Sequence, residues 1–253
     1  MPATPPIPTG APIWFDLATS DVEAATRFYE GVFGWLGIPG PAEFGGYVNF
    51  EKNGVPVAGM MPSQGGTDGW TVYLNTPDAA AAADGIAAAG GTVLTGPDDV
   101  AELGTMSILR DPDGAMLGTW QPKAMQGYGL FGEDGAPGWF ELHTRDFAGE
   151  MAFYEKAFGW RTDLMSDSDE FRYGRLVVDE QPYAGVIDAS GYLPEGTPAA
   201  WEVYIVVTDT DATVAAALDL GGSILLEPED SPFGRLAKIA DPTGGSIKVV
   251  QMQ

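Results

Sequence analysis

Residues 10–35, GAPIWFDLATSDVEAATRFYEGVFGW, are closely echoed by residues 135–160, GAPGWFELHTRDFAGEMAFYEKAFGW. The two stretches align without a gap at an offset of 125 (135 − 10) in a chain of 253 residues. Self-similarity on this scale means a duplicated domain, so the chain has to be read as two related cores and not as one unrepeated fold. The length and the 45% hydrophobic content suit two cores of ordinary size. The copies also control each other: residues they share point to fold, and residues that differ point to a specialised role. One domain is expected over 10–122, a Gly-rich linker over 123–134 and a second domain over 135–253.

Each copy carries the same succession of signals. An alternating strand, 13–19 or 139–144, leads to Asp21 or Asp146, a carboxylate suited to the unpaired N–H groups of a helix start. In the second copy Phe147, Met151, Tyr154 and Phe158 fall on one helical face. Gly34 and Gly159 supply the stop. Strands are expected near 47–52 and 55–61, and near 171–178 and 183–188. A second unit opens at Trp70 or Trp201 with an alternating strand, followed by an alanine-rich helix, 77–89 or 209–220, closed by a Gly-Gly pair. Two strands finish the copy, separated by DPDG (111–114) or DPTG (241–244). In such tetrads Pro fixes φ and Gly takes the left-handed position of a tight turn. The pattern is β-α-β-β-β twice per copy and four times in all, an α+β chain.

Composition narrows the partners. Lys and Arg number 12 against 36 Asp and Glu, a net charge of −24. That balance argues against nucleic acid and anionic membrane, which both call for a basic face, and otherwise serves solubility. Cysteine is absent, so there is no disulfide framework, thiolate metal site or cysteine nucleophile. The start MPATPPIPTG lacks the basic and apolar regions of a signal peptide, and its Pro-rich residues 1–9 read as a loose or extended arm. No run is long enough to span a membrane. A cytoplasmic protein, monomer or homodimer, with a small-molecule ligand is expected. The Gly-rich stretches carry no nucleotide signature: GYGLFG (127–132) spells GxGxxG but lies in the expected linker and not in a strand-to-helix turn, and no P-loop or GxSxG motif is present.

The strand, Asp cap, F-Y helix and F-G-W stop resemble the opening of the vicinal oxygen chelate domain, the superfamily of glyoxalase I, bleomycin-resistance proteins and extradiol dioxygenases. The later strand, helix, GG, strand, DPxG and strand resemble its second part. GAPxWF, EFRY (170–173) and PFGRLA (232–237) are similar to a two-domain actinobacterial branch that often carries a hydroxylase label. The resemblance covers nearly the whole chain after residue 10. It implies tandem glyoxalase-like domains, in which four βαβββ units form two U-shaped, eight-stranded half-barrels with concave ligand-binding faces. Strand alternation would then turn Trp14, Asp16 and Ala18, or Trp139, Glu141 and His143, toward the cleft. The fifth strand would add Thr71 and Tyr73, or Glu202 and Tyr204, and the last strand Gly118 or Lys248.

Metal-dependent members of that superfamily place His, Gln or Glu at the heads of the first and fifth strands and Glu in the last. The matching positions here hold Trp14, Thr71 and Gly118 in one copy and Trp139, Glu202 and Lys248 in the other. The chelating set is missing from both, so no metal and no other cofactor is expected. The alternative is a displaced divalent site at Glu141, His143 and Glu202. Trp139, Tyr173 and Tyr204, and Trp14, Tyr47 and Tyr73, would give aromatic walls suited to a flat apolar ligand, or would simply fill the half-barrels. Asp16 is a polar position on the first cleft wall. Arg235 could anchor an anion or pair with surface carboxylates, and Lys248 could pair with Glu202. His143 is the only histidine in the chain. With Glu141 two residues away to hold its tautomer, it is a candidate general base. Glu202 would be an acid or anchor and Tyr204 a hydrogen-bond donor. The leading reading is a metal-independent protein that sequesters an aromatic or polyketide-like compound, as the bleomycin-resistance relatives do. The alternative is an enzyme of secondary metabolism or detoxification, of isomerase, lyase, cyclase or glyoxalase-like type, that uses the second-domain cleft by acid–base chemistry.

Overall fold

The computed structural model describes residues 6–63, 65, 66, 68–168 and 170–252. The first copy runs β1 (Pro12–Thr19), α1 (Val22–Phe33), β2 (Leu36–Pro39), β3 (Val48–Lys52) and β4 (Val55–Pro62). It continues with β5 (Gly69–Asn75), α2 (Ala79–Ala89), β6 (Thr92–Val100), β7 (Gly104–Arg110) and β8 (Met116–Pro122). The second copy repeats this as β9 (Pro137–Thr144), α3 (Phe147–Phe158), β10 (Thr162–Asp167), β11 (Arg172–Val178) and β12 (Gln181–Asp188). It closes with β13 (Ala200–Val206), α4 (Thr210–Asp219), β14 (Ser223–Ser231), β15 (Gly234–Ala240) and β16 (Ser246–Gln251). The strand orders are β2-β3-β4-β1-β5-β8-β7-β6 and β10-β11-β12-β9-β13-β16-β15-β14. Both are open, half-barrel-like sheets of eight strands, as the fourfold βαβββ pattern predicts.

The local signals act as expected. Asp21 Oδ1 accepts the Ala24 N–H at 2.9 Å and Asp146 Oδ1 the Gly149 N–H at 3.0 Å, and Gly34 and Gly159 end their helices in the left-handed conformation. Asp78 and Asp209 cap the alanine-rich helices in the same way. Alternation locates neither β2 and β6 nor β10 and β14. These are the edge strands of the two sheets, and their apolar residues Leu36, Ile38, Leu94, Leu164, Met165 and Leu225 are exposed, so no buried face marks them. Residues 1–5 of the Pro-rich segment lie outside the described residues. Ile7 and Pro8 are tied down, not loose: Ile7 O accepts from Asn75 Nδ2 at 2.6 Å and Pro8 O from the Ala11 N–H at 3.1 Å. Among the described residues no helix is long and apolar enough to cross a membrane.

Contacts divide the chain into two compact units. One contains the segment ending at Ile13, Val72–Gly127 and Trp139–Glu202. The other contains Trp14–Thr71, Tyr128–Gly138 and Val203–Gln253. Each unit therefore joins one βαβββ module from each copy, with α2 against α3 in the first and α1 against α4 in the second. The repeated motifs are the fasteners. In the first unit the Trp160 indole N–H donates to Gly10 O at 3.0 Å, and in the second the Trp35 indole N–H donates to Gly135 O at 2.6 Å. Likewise Tyr154 donates to Asp111 Oδ2 at 3.0 Å and Tyr29 to Asp241 Oδ2 at 2.9 Å. GAP, F-Y, F-G-W and DPxG recur because the helix end of one copy bonds the strand start and turn of the other. Around Trp35 the rings of Phe15, Tyr29, Phe33, Phe50 and Trp70 lie 5.0–6.3 Å away, which makes this the aromatic centre of the second unit.

Candidate functional site

In the first unit, β9 carries Trp139, Glu141 and His143 on one face, two residues apart, as strand alternation requires. Tyr173, from β11, lies across β12. It fits there because position 185 is glycine: a Cβ would collide with the Tyr173 hydroxyl. The result is a continuous run of hydrogen bonds. Trp139 Nε1 donates to the Tyr173 hydroxyl at 2.8 Å, and that hydroxyl donates to Glu141 Oε2 at 2.6 Å. Glu141 Oε1 lies 2.8 Å from His143 Nε2, and His143 Nδ1 lies 2.8 Å from the Tyr192 hydroxyl. Burial and the Glu141 charge push the Tyr173 phenol well up, so it stays a neutral donor. Burial, followed by the charges of Glu141, Glu202 and Asp188, also raises Tyr192. Glu202 thus acts on the same group as Glu141.

Tyr192 was not among the candidates read from sequence, although the sequence holds a signal for it. Tyr47 and Tyr173 are 126 apart, whereas Trp70 and Trp201 are 131 apart, so the second copy has five extra residues between them (131 − 126). Tyr192 sits in that longer loop. Arg145, at the end of β9, holds the loop by donating to Thr197 O at 2.5 Å, to Leu193 O at 2.7 Å and to Pro194 O. Asp113 of the DPDG turn fixes the other side, accepting from Thr144 Oγ1 at 2.6 Å and the Arg145 N–H at 2.9 Å. The first copy has Ser20 where Arg145 stands.

The second unit contains a shorter version of the same device. Trp14 Nε1 donates to the Tyr47 hydroxyl at 2.9 Å, and Tyr47 donates to Asp16 Oδ2 at 3.3 Å, with Gly59 clearing the space as Gly185 does. It stops there because position 18 is alanine. Lys248 Nζ donates to the Tyr204 hydroxyl at 2.7 Å and lies 4.6 Å from that ring's centroid. Tyr73 packs its ring over Gly118. Arg235 takes the second of its two options: it forms a double hydrogen bond with Asp211, at 2.6 and 2.9 Å, and reaches Asp230 at 3.1 Å.

The superfamily's chelated metal does not fit these residues. At the first-strand position both copies have a tryptophan whose indole N–H is a donor already given to a tyrosine. Position 118 has no side chain, and Tyr73 occupies the space one would need. Lys248 offers an ammonium where an anionic oxygen would be required. Among the described residues no three His, Cys, Asp or Glu side chains converge to hold an ion, the displaced set Glu141, His143 and Glu202 included.

Comparison with known proteins agrees with the fold. A family model described as a glyoxalase-like domain matches twice, at residues 13–117 and 139–250. The chain is 36% identical to the anthracycline biosynthesis protein DauV of Streptomyces sp. (strain C5), over 96% of this chain and 94% of that protein. It is 34% identical to CFP32 of Mycobacterium tuberculosis (strain CDC 1551 / Oshkosh), whose name gives it provisionally as a glyoxylase, over 99% and 98% of the two chains. Among solved structures, the Mn(II)-bound glyoxalase from Novosphingobium aromaticivorans superposes with a TM-score of 0.67 at 14% identity, covering 97% of this chain and 83% of that one. The chain belongs to the glyoxalase-like family of the vicinal oxygen chelate superfamily, and carries its domain twice.

Proposed function

We propose that the chain is an acid–base enzyme acting on an aromatic, polyketide-like small molecule, with isomerase, lyase or cyclase chemistry and no catalytic metal. The observation that carries this reading is the unbroken relay Trp139–Tyr173–Glu141–His143–Tyr192. A protein that only sequesters its ligand has no need of a buried carboxylate that fixes one imidazole, itself linked to a half-exposed phenol. In this reading His143 is the base, Glu141 its orienting partner and Glu202 a second anionic group at the site. The flat walls of Trp139 and Tyr173 suit an aromatic ligand. The similarity to DauV, whose name speaks of anthracycline biosynthesis, favours synthesis over sequestration and a polycyclic aromatic substrate.

The test is turnover of polycyclic aromatic polyketides, anthracycline aglycones included, followed by mass spectrometry for the parent chain and for His143→Ala. The variant is expected to lose at least ~100-fold in turnover. Its ligand affinity, read from tryptophan fluorescence, should stay within a few-fold. Tight binding without conversion by the parent chain, or equal turnover by the variant, would return the chain to the class of binding proteins.

A further inference from the structure

The geometry points to Tyr192 as the group that exchanges a proton with the substrate, as the outer member of a Tyr192–His143–Glu141 triad. This rests on the acid–base reading above and names its reacting atom. A carboxylate only accepts hydrogen bonds. Glu141 takes the Tyr173 O–H on Oε2 and meets His143 Nε2 from Oε1, so in the neutral imidazole Nε2 carries the ring hydrogen and Nδ1 keeps its lone pair. Nδ1 lies 2.8 Å from the Tyr192 hydroxyl and accepts from it. The relay therefore has one direction, from Tyr192 through His143 to Glu141. This is the arrangement of a serine–histidine–aspartate triad with a phenol as its outer group.

Exposure selects the same residue. Tyr173, Glu141 and His143 are 5, 6 and 7% exposed, and both nitrogens of the imidazole are engaged within the relay. Tyr192 is 55% exposed. It stands in the loop that is five residues longer in the second copy, and the equivalent first-copy loop, 63–68, contains no tyrosine. Counterparts of His143 and Tyr192 are both missing from the first copy, as two parts of one device would be.

The step balances without an oxidant or a metal. The Tyr192 oxygen takes a proton from a carbon next to a ketone as its own O–H proton passes to His143 Nδ1. The C–H electron pair becomes the enolate, the phenol stays neutral, and the imidazolium is held by the Glu141 carboxylate. Return of the Nδ1 proton through Tyr192 to a different atom of the substrate restores the resting state. The substrate class is thus an enolisable ketone within a flat aromatic frame.

The single histidine makes the test direct, because every imidazole signal belongs to His143. Nitrogen-15 spectra of the histidine-labelled full chain should show the Nε2–H tautomer. In Tyr192→Phe the Nδ1 resonance should move toward that of an unbonded pyridine-type nitrogen, while the tautomer is retained. With the aromatic ketones of the preceding assay, Tyr192→Phe should lower kcat at least ~100-fold with KM nearly unchanged. An Nδ1–H tautomer, or an Nδ1 signal unmoved in Tyr192→Phe, would overturn the triad. Full activity in Tyr192→Phe beside an inactive His143→Gln would remove Tyr192 and leave the enzyme reading intact. Full activity in both variants would overturn both.

Discussion

Glu150 occupies the buried face of α3, where the helical period asks for an apolar side chain; it is 1% exposed. Its counterpart 125 residues earlier is Ala25. Oε1 accepts the Asp113 N–H at 3.0 Å, whereas Oε2 has no formed hydrogen bond beside the Asp111 carboxylate. Burial and then the Asp111 charge push Glu150 up to about 9, so a proton on Oε2 shared with Asp111 satisfies both groups. The unfolded chain, with an ordinary value of 4.5, holds fewer protons than the folded one between about 4.5 and about 9. Stability must therefore fall as pH rises through that window. Asp111, raised to about 6 chiefly by burial, acts in the same direction. Glu150→Gln is expected to flatten the slope and to be the more stable protein at about pH 8, in urea titrations run across the window. A parent chain that gains stability with rising pH there would contradict this account. Gly185→Ala tests the relay's packing: a Cβ would drive Tyr173 from Glu141. A loss of ~1–3 kcal/mol in stability is expected, together with loss of turnover.

At the scale of elements, the copies differ most in the loop after β12. Its backbone turns on Ala189, whose carbonyl accepts from Tyr192 N at 3.1 Å and Leu193 N at 2.9 Å, and Arg145 binds three carbonyls further along. Arg145→Ala removes those donors without altering the His143 or Tyr192 side chain itself. Amide exchange over 189–199 should accelerate, and turnover should fall by about 10- to 100-fold through misplacement of the phenol. Unchanged exchange would mean that the loop holds itself. The helix caps act locally: Asp146→Ala should cost ~1 kcal/mol in thermal or urea unfolding, with little effect on the tautomer of His143.

For the whole molecule, each compact unit takes one module from each copy. Residues 1–122 alone would retain Trp35 and Tyr29 but lose their acceptors, Gly135 O and Asp241 Oδ2. The same fragment contains Gly10 and the Asp111 turn, the equivalents of those acceptors in the other unit. It is therefore expected to associate into a dimer that rebuilds the unit from two identical chains, as light scattering after size exclusion would show. A folded, stable monomer of this fragment would contradict reciprocal fastening.

What the sequence determined by itself was local and periodic. The duplication, the four βαβββ modules, the aspartate caps, the glycine stops and the DPxG turns each follow from a few adjacent residues, and so did the pairing of Glu141 with His143, which sit two apart on one strand. The edge strands β2, β6, β10 and β14 escaped because they bury no continuous face and so leave no period in the chain. Only the tertiary structure decided that Tyr173 and Tyr192 reach Glu141 and His143 from elements about 30 and 49 residues away. It alone bound Arg235 to surface carboxylates, and it alone showed the copies fastening each other. Hydrogen bonds depend on distances of a few tenths of an ångström between residues far apart in the chain, and no local pattern encodes such distances.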